Sequence, residues 1–248
     1  MRLTRCYVDA PLAEGAELVL ERDVGLHLTR VLRLSSGAAL AVFDGRGAEH
    51  AARITAVRGG EVSVRLGEAL EPIPESGLSI TLVQGVSRAE RMDYAIQKAT
   101  ELGVARIVPV LCERSVVKLD ERQASAKLEH WQGVAVAAAE QSGRATLPAI
   151  EPARRLLDFL ANGHRLSGPQ TLKAVLVPDA GEGLASVPPH LAAAELVIGP
   201  EGGLTEEETR LAMGSGFRGL KLGPRVLRTE TAAAAAVAVL QALRGDLG

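Results

Sequence analysis

Residues 197–208 read VIGPEGGLTEEE. Leu196, Val197 and Ile198 form a short, wholly apolar run of the kind that makes a strand covered on both faces. Gly199, Gly202 and Gly203 let the backbone turn sharply and approach a ligand closely. Thr205 with Glu208 three residues later is a capping box, which opens a helix over 205–214. The same order recurs downstream: an apolar strand at 220–222, a turn at Gly223-Pro224, and an Ala-rich helix over Thr229–Arg244. Strand, turn and helix in repeated order describe an α/β domain with a mostly parallel sheet.

Working outward, 78–83 is a strand with Gly85 at its end. Residues 88–102 make a helix with Met92, Ala95, Ile96, Ala99 and Leu102 on one face, stopped by Gly103. A strand at 107–111, a long helix at 121–142 and a buried strand at 173–177 follow. The segment 68–77, EALEPIPESG, carries two prolines among acids and marks a domain boundary. Before it, 1–70 reads as several short strands (5–8, 39–43, 51–57, 61–66) around one amphipathic helix at 24–34, the pattern of a small barrel. The expected domains are therefore 1–70 and 73–248. The stretch 158–190 is Pro/Gly-rich and loop-like apart from its strand, and no internal repeat is evident.

Composition narrows the classes. Of 248 residues, 47% are hydrophobic, enough for a sizeable core. Net charge is −2, so any nucleic-acid surface must be local. Six aromatics argue against binding single strands by stacking bases. Cys6 and Cys112 form no ligand cluster, so neither a metal nor a disulfide framework is expected. No signal peptide or membrane span is read, which places the protein in the cytoplasm. Nine Arg and no Lys, balanced by nine acids, sit in 1–70; they suit phosphate recognition or reflect coding bias equally well.

The chemistry-bearing residues gather in four places. The 199–203 loop precedes a helix N-terminus with free N–H donors and follows a strand end, where open α/β sheets bind ligands. Taken alone, it is as readily a plain tight turn. In 222–231, Arg225, Arg228, Glu230 and Thr231 crowd one loop; Thr229 is a natural N-cap and Glu230 suits the helix dipole, but capping does not explain two arginines. Glu140 to Arg144 end the long helix, and Arg88, Arg91 and Lys98 lie on the first; each is a solvated face when taken singly. GSGFRG at 214–219 matches GxGxxG but follows a helix and precedes a strand, the reverse of a dinucleotide fingerprint.

Together, 85–118, AAAEQSGR (137–144), VIGPEGGLTEEE (197–208) and LGPRVLRTETA (222–232) resemble the RsmE family, and HLTRVLRL (27–34) is similar to its N-terminal domain. The resemblance implies S-adenosylmethionine (SAM) as cofactor and methylation of N3 of one uridine in 16S ribosomal RNA of the small ribosomal subunit. It implies a PUA-like RNA-binding β-barrel followed by a SPOUT domain with a deep trefoil knot, in a homodimer without metal or membrane. It points to Val197, Ile198, Gly199, Pro200, Glu201, Gly202 and Gly203, with Leu222, Gly223, Arg225, Val226, Leu227, Arg228, Thr231 and Ala232, as the cofactor pocket. Glu201 and Glu140 are then the candidate bases, and Arg228 and Arg144 the candidates to offset charge on the uracil oxygens. Arg2, Arg5, Arg30, Arg33, Arg88 and Arg91 are the candidate RNA contacts. The rival readings are a SPOUT enzyme with another RNA target, an RNA-binding protein without catalysis, and a nucleotide-dependent oxidoreductase.

Overall fold

The computed structural model describes residues 3–117, 120–162 and 168–248. Contacts divide the chain into two compact units: Met1–Glu75 with Val136–Leu147, and Ser76–Ala135 with Pro148–Gly248.

In the first unit, β1 (Arg5–Tyr7), β2 (Glu17–Val19), β3 (Ala39–Phe43), β4 (Glu49–Arg58) and β5 (Glu61–Ala69) form one sheet in the order β1-β3-β4-β5-β2. Only the β1–β3 pairing is parallel. The alternation read in β5 is realised, with Val62, Val64 and Leu66 all buried. Two register shifts between β4 and β5 bend the ladder. The helix expected at 24–34 is instead two short pieces: α1 (Arg22–Leu26) and a π-helical turn, His27–Val31. Gly25 explains the tight seating, since a Cβ there would lie 2.7 Å from the Gly60 carbonyl oxygen. Leu28 enters the core while Val31 and Leu32 stay exposed, and the chain turns away through Arg33 at φ 57°.

The second unit holds β6 (Ser79–Gly85), α2 (Ala89–Glu101), β7 (Arg106–Leu111), most of α3 (Glu121–Ser142), β8 (Ala149–Ile150), β9 (Arg154–Arg155), α4 (Leu156–Asn162), β10 (Thr171–Leu176), β11 (Glu182–Gly183), β12 (Ala193–Ile198), α5 (Glu206–Gly214), β13 (Arg218–Lys221) and α6 (Thr229–Arg244). Its eight-stranded sheet runs β11-β13-β10-β12-β6-β7-β8, with β9 also on β7. Every pairing is parallel, so the carboxyl ends of the central strands share one edge. Alternate strand residues feed two cores. On one face, Ile80 and Leu82 of β6 pack with Met92, Ile96, Trp131, Val237 and Leu240 of the helices. On the other, Val83 joins Val108, Val175, Val197, Phe159 and Phe217. Buried Gln241 ties α6 to the end of α2, its Nε2 donating to the Leu102 carbonyl at 2.9 Å.

Three details differ from the sequence reading. Residues 136–147 belong to the first unit: Ala139 and Ala145 pack on Phe43 there. Within 158–190, the start is helical, with α4 burying Leu156, Phe159 and Leu160. Short β2, β8, β9 and β11 had no periodic signal, because two or three residues are too few to show one. The 214–219 glycines behave as read: Gly216 at φ 89° leaves α5, and β13 follows.

Candidate functional site

The 199–204 turn is built from beneath. Gly85 closes β6 directly under it, and a Cβ there would lie 2.6 Å from Pro200 Cδ and 2.8 Å from Gly199 C, so only glycine fits. Thr229 does not cap α6, whose N-cap is Arg228 with no side-chain bond. Its buried hydroxyl instead donates to the Gly199 carbonyl at 2.6 Å and accepts from Gln84 Nε2 at 2.8 Å. One hydroxyl thus ties the end of β6, the 199–204 turn and the 222–228 loop together.

The α5 end is held as firmly. The capping box is present: Glu208 N donates to Thr205 Oγ1 at 3.1 Å, and Thr205 N donates to Glu208 Oε2 at 2.9 Å. The other oxygen of Glu208 accepts from Glu113 N at 2.8 Å, so the capping carboxylate also anchors the loop after β7. Arg114 on that loop donates to the carbonyls of Gly202 and Leu204 at 3.3 and 3.4 Å.

These constraints leave a cavity of about 820 Å³ at the carboxyl edge of the sheet. That size is typical of a small-molecule site. Its walls are 176–179 after β10, 198–204 after β12, and 222–223 with 225–229 after β13, completed by Arg91, Arg114, α5 side chains and Ala232. Gly203 at φ 70° and Gly223 at φ 72° have nothing within 4 Å of where a Cβ would stand, so the cradle is lined there by bare backbone. Glu201 Oε1 accepts from Arg88 N at 3.0 Å and faces Arg91 Nη1 at 3.6 Å. Its Oε2 is shut from solvent with no hydrogen-bond partner among the described residues. Burial pushes the Glu201 carboxyl up, but the Arg88 N–H, its own N–H, the Arg91 guanidinium and the Ser87 hydroxyl outweigh that and hold it below the usual range.

Of the pocket residues expected from the sequence, all line this cavity except Val197, buried in the sheet core, and Thr231, exposed on α6. Glu201 and Arg228 line it too. Glu140 and Arg144 lie in the first unit and are occupied there. Glu140 Oε1 accepts from Tyr7 N at 3.1 Å, and burial raises its carboxyl pKa despite that bond. Arg144 is buried and paired with Glu75 at 2.5 Å. Arg5 is corrected from RNA contact to structural tie: its buried guanidinium pairs with Glu49 at 2.8 Å, donates to the Ala139 and Arg144 carbonyls and stacks on Phe43. Arg30, Arg33 and Arg88 are exposed, Arg91 lines the cavity, and Arg2 lies outside the described residues. Sequence reasoning missed Arg114 and the 176–179 segment. The available signal was the strand at 173–177, since the strand-end rule extends to its neighbour too.

Residues 74–241 match the family model of an RNA methyltransferase domain, and 20–67 that of an RNA methyltransferase PUA domain. The chain belongs to this RNA methyltransferase family. It is 34% identical over 245 residues to ribosomal RNA small subunit methyltransferase E of Synechocystis, covering 94% of this chain and 77% of the relative. To the enzyme of the same name from Bacillus subtilis it is 32% identical, over 89% of each chain. The enzyme of that name from Neisseria gonorrhoeae, solved bound to SAM, superposes with a TM-score of 0.93 at 35% identity, over the whole of both chains. A Legionella pneumophila protein solved with bound SAM gives the same TM-score at 40% identity, again over both whole chains. The resemblance to the RsmE family therefore holds for both parts of the chain. The family match covers every strand that shapes the cavity. Among the described residues, no helix is long and apolar enough to cross a membrane, and no cluster of metal-ligating side chains occurs.

Proposed function

We propose that this protein transfers a methyl group from SAM to N3 of one uridine of 16S ribosomal RNA in the small ribosomal subunit. The observation that carries the reading is the glycine cradle at the carboxyl edge of the sheet, in a chain whose relatives of the same length are small-subunit methyltransferases. The residues present suit SAM. Bare backbone at Gly203 and Gly223 offers N–H and C=O groups at close range. The unpartnered Glu201 Oε2 is an acceptor awaiting an N–H or O–H donor.

When bound, SAM supplies an electrophilic methyl carbon on a sulfonium. The loops 198–204 and 222–229 would hold it, and positioning of the uridine supplies much of the rate. The N3 proton must leave as the N–C bond forms. Glu201 is held ionised and is the candidate acceptor, but its low proton affinity makes it a weak base. The complementary task falls to Arg91 and Arg228, both on the cavity wall: placed against the uracil oxygens, a guanidinium stabilises the ring as its negative charge grows. In this reading the N-terminal unit grips RNA through exposed Arg30 and Arg33, the chain works in the cytoplasm as a homodimer, and the methyltransferase unit carries the SPOUT trefoil knot.

The test is methyl transfer from labelled SAM to small subunits lacking the modification, set beside free 16S RNA, with the product nucleotide mapped. Label at N3 of one uridine is expected. Label on a transfer RNA or on 23S RNA would replace the substrate; no label on any RNA, with SAM still bound, would end the catalytic reading.

A further inference from the structure

Arg114 holds the 199–204 turn with a single nitrogen. Its Nη1 donates to the Gly202 and Leu204 carbonyls at 3.3 and 3.4 Å. The turn rests directly on it, since a Cβ at Gly202 would lie 3.0 Å from Arg114 Cβ and 3.2 Å from the Arg114 carbonyl oxygen. The loop that carries Arg114 is fixed as well. Glu113 N donates to Glu208, Cys112 N to Ser115 Oγ at 3.1 Å, and Ser115 N to the Cys112 carbonyl at 3.0 Å. The Arg114 side chain lines the cavity and is exposed, and its Nε and Nη2 have no partner among the described residues.

Nε and Nη2 are the parallel pair of donors that grips both oxygens of an oxyanion. Other arginines of this chain use that pair on a carboxylate. Arg5 sets Nη1 on the Ala139 carbonyl at 2.7 Å and gives Nε and Nη2 to Glu49 at 2.8 and 3.0 Å. Arg144 and Arg210 give theirs to Glu75 and Glu207. Arg114 repeats the tether of Arg5 without the carboxylate.

We infer that Arg114 binds a backbone phosphate of the RNA, next to the target nucleotide, at the mouth of the cavity. Charge favours a phosphate over the cofactor as its partner. The cavity is lined by five arginines and three carboxylates. SAM carries a sulfonium and an ammonium against one carboxylate, so this excess of positive charge does not suit it, whereas it suits a polyanion. Of the lining arginines, Arg91 faces Glu201 and Arg210 pairs with Glu207, which leaves Arg114, Arg225 and Arg228 without a carboxylate among the described residues. Only Arg114 of these three has its guanidinium already tied to main-chain carbonyls. The tether removes rotamer freedom before the ligand arrives, so less is lost on binding. It also links the RNA backbone to the turn that cradles the cofactor, through one side chain.

The inference rests on the reading that this chain acts on RNA, and its test separates the two. Full-length wild type, Arg114→Ala and Arg114→Lys are titrated across a salt series with the shortest 16S RNA fragment that wild type binds. The fragment is then scanned with single methylphosphonate linkages, each of which removes one phosphate charge. Arg114→Ala should weaken binding about tenfold or more and lower the salt slope by about one. Arg114→Lys keeps the charge and loses the paired donors, so it should keep the slope and recover part of the affinity. At one linkage, neutralisation should weaken wild type about tenfold and leave Arg114→Ala unchanged. A turn loosened by the substitution would instead give additive losses at every linkage, and that result overturns the proposal. So does an Arg114→Ala variant that loses a wild-type preference for SAM over its decarboxylated form, because the partner is then the cofactor's carboxylate. A wild type that binds no RNA ends both readings. Methyl transfer to uridine N3 with no coupled linkage sinks this contact alone. A coupled linkage without methyl transfer sinks the proposed reaction and leaves the contact standing.

Discussion

Thr229→Val removes one hydroxyl and almost no volume, so it isolates the tie between the cavity loops. The hydroxyl makes two hydrogen bonds, to the Gly199 carbonyl at 2.6 Å and from Gln84 Nε2 at 2.8 Å. Gln84 is fully buried; its Nε2 keeps a bond to the Gly85 carbonyl at 3.1 Å but loses its second acceptor. The Gly199 carbonyl is half-buried and recovers part of its loss from water. A buried group left unsatisfied costs about 1–3 kcal/mol, which puts the pair at roughly 2–3 kcal/mol. For a domain of this size that lowers the melting temperature by about 4–12 °C. Thr229→Ser keeps the hydroxyl and forfeits one buried methyl, about 0.8 kcal/mol. Urea denaturation and SAM calorimetry on wild type and both variants give the answer. Serine should fall near wild type in both. Valine should be less stable than serine by about 1–2 kcal/mol, and its SAM affinity should drop on the order of tenfold if the freed loop loses 1.4 kcal/mol of preorganisation. Valine equal to serine in both measurements would refute the claim that this hydroxyl couples the loops.

Gly85→Ala should destabilise by at least the roughly 1–3 kcal/mol of an overpacked core, because the added Cβ meets Pro200 and Gly199, whereas Gly77→Ala, with open space at its Cβ, should stay within about 0.5 kcal/mol of wild type. Denaturation midpoints of the pair decide it. Glu201 has a folded pKa below the ordinary value of 4.5, so its ionisation adds stability above that value that is lost as pH falls through the folded one. Glu201→Gln should therefore be less stable than wild type at neutral pH, with the gap closing in acid; a gap that widens in acid contradicts the assignment. Glu140 has a folded pKa above 4.5, so its contribution is full below 4.5 and falls as pH rises through the folded value. Glu140→Gln should match wild type in acid and equal or exceed it at neutral pH, read from urea midpoints across the pH range; a neutral-pH loss comparable to a broken salt bridge would contradict this.

The elements that could be read from the sequence are those long enough to carry a period. The long helices at 121–142 and 229–244 and the capping box at Thr205 were read from the sequence, although the N-cap expected at Thr229 falls instead at Arg228. What stayed hidden depends on partners far along the chain. Nothing local in AVAAAEQS distinguishes a helix end that joins its own domain from one that returns to pack on Phe43. Gly25, just before the π-helical turn, seats against the Gly60 carbonyl, a contact that no window on 24–34 contains. In the cavity, glycines were legible because their requirement is conformational and local. Arg114 was not, because its role is to bind carbonyls about ninety residues away.

The charged residues show why a motif names a site more readily than a mechanism. Glu208, Glu140, Arg144 and Arg5 all fall in the stretches that carry the family resemblance or in the first strand, and each spends its charge inside the protein on a named partner. A carboxylate already accepting a backbone N–H has one oxygen engaged, and that bond weakens if the group takes a proton. A guanidinium locked to a carboxylate and two carbonyls has few donors left for a phosphate. The groups left for chemistry are those whose hydrogen-bonding capacity the fold leaves open: Arg225 and Arg228 on the rim, and the second oxygen of Glu201. Partner occupancy, visible only in three dimensions, sorts residues that sequence treats alike. For the proposed reaction it favours arginines that ease the uracil's loss of a proton over a strong protein base.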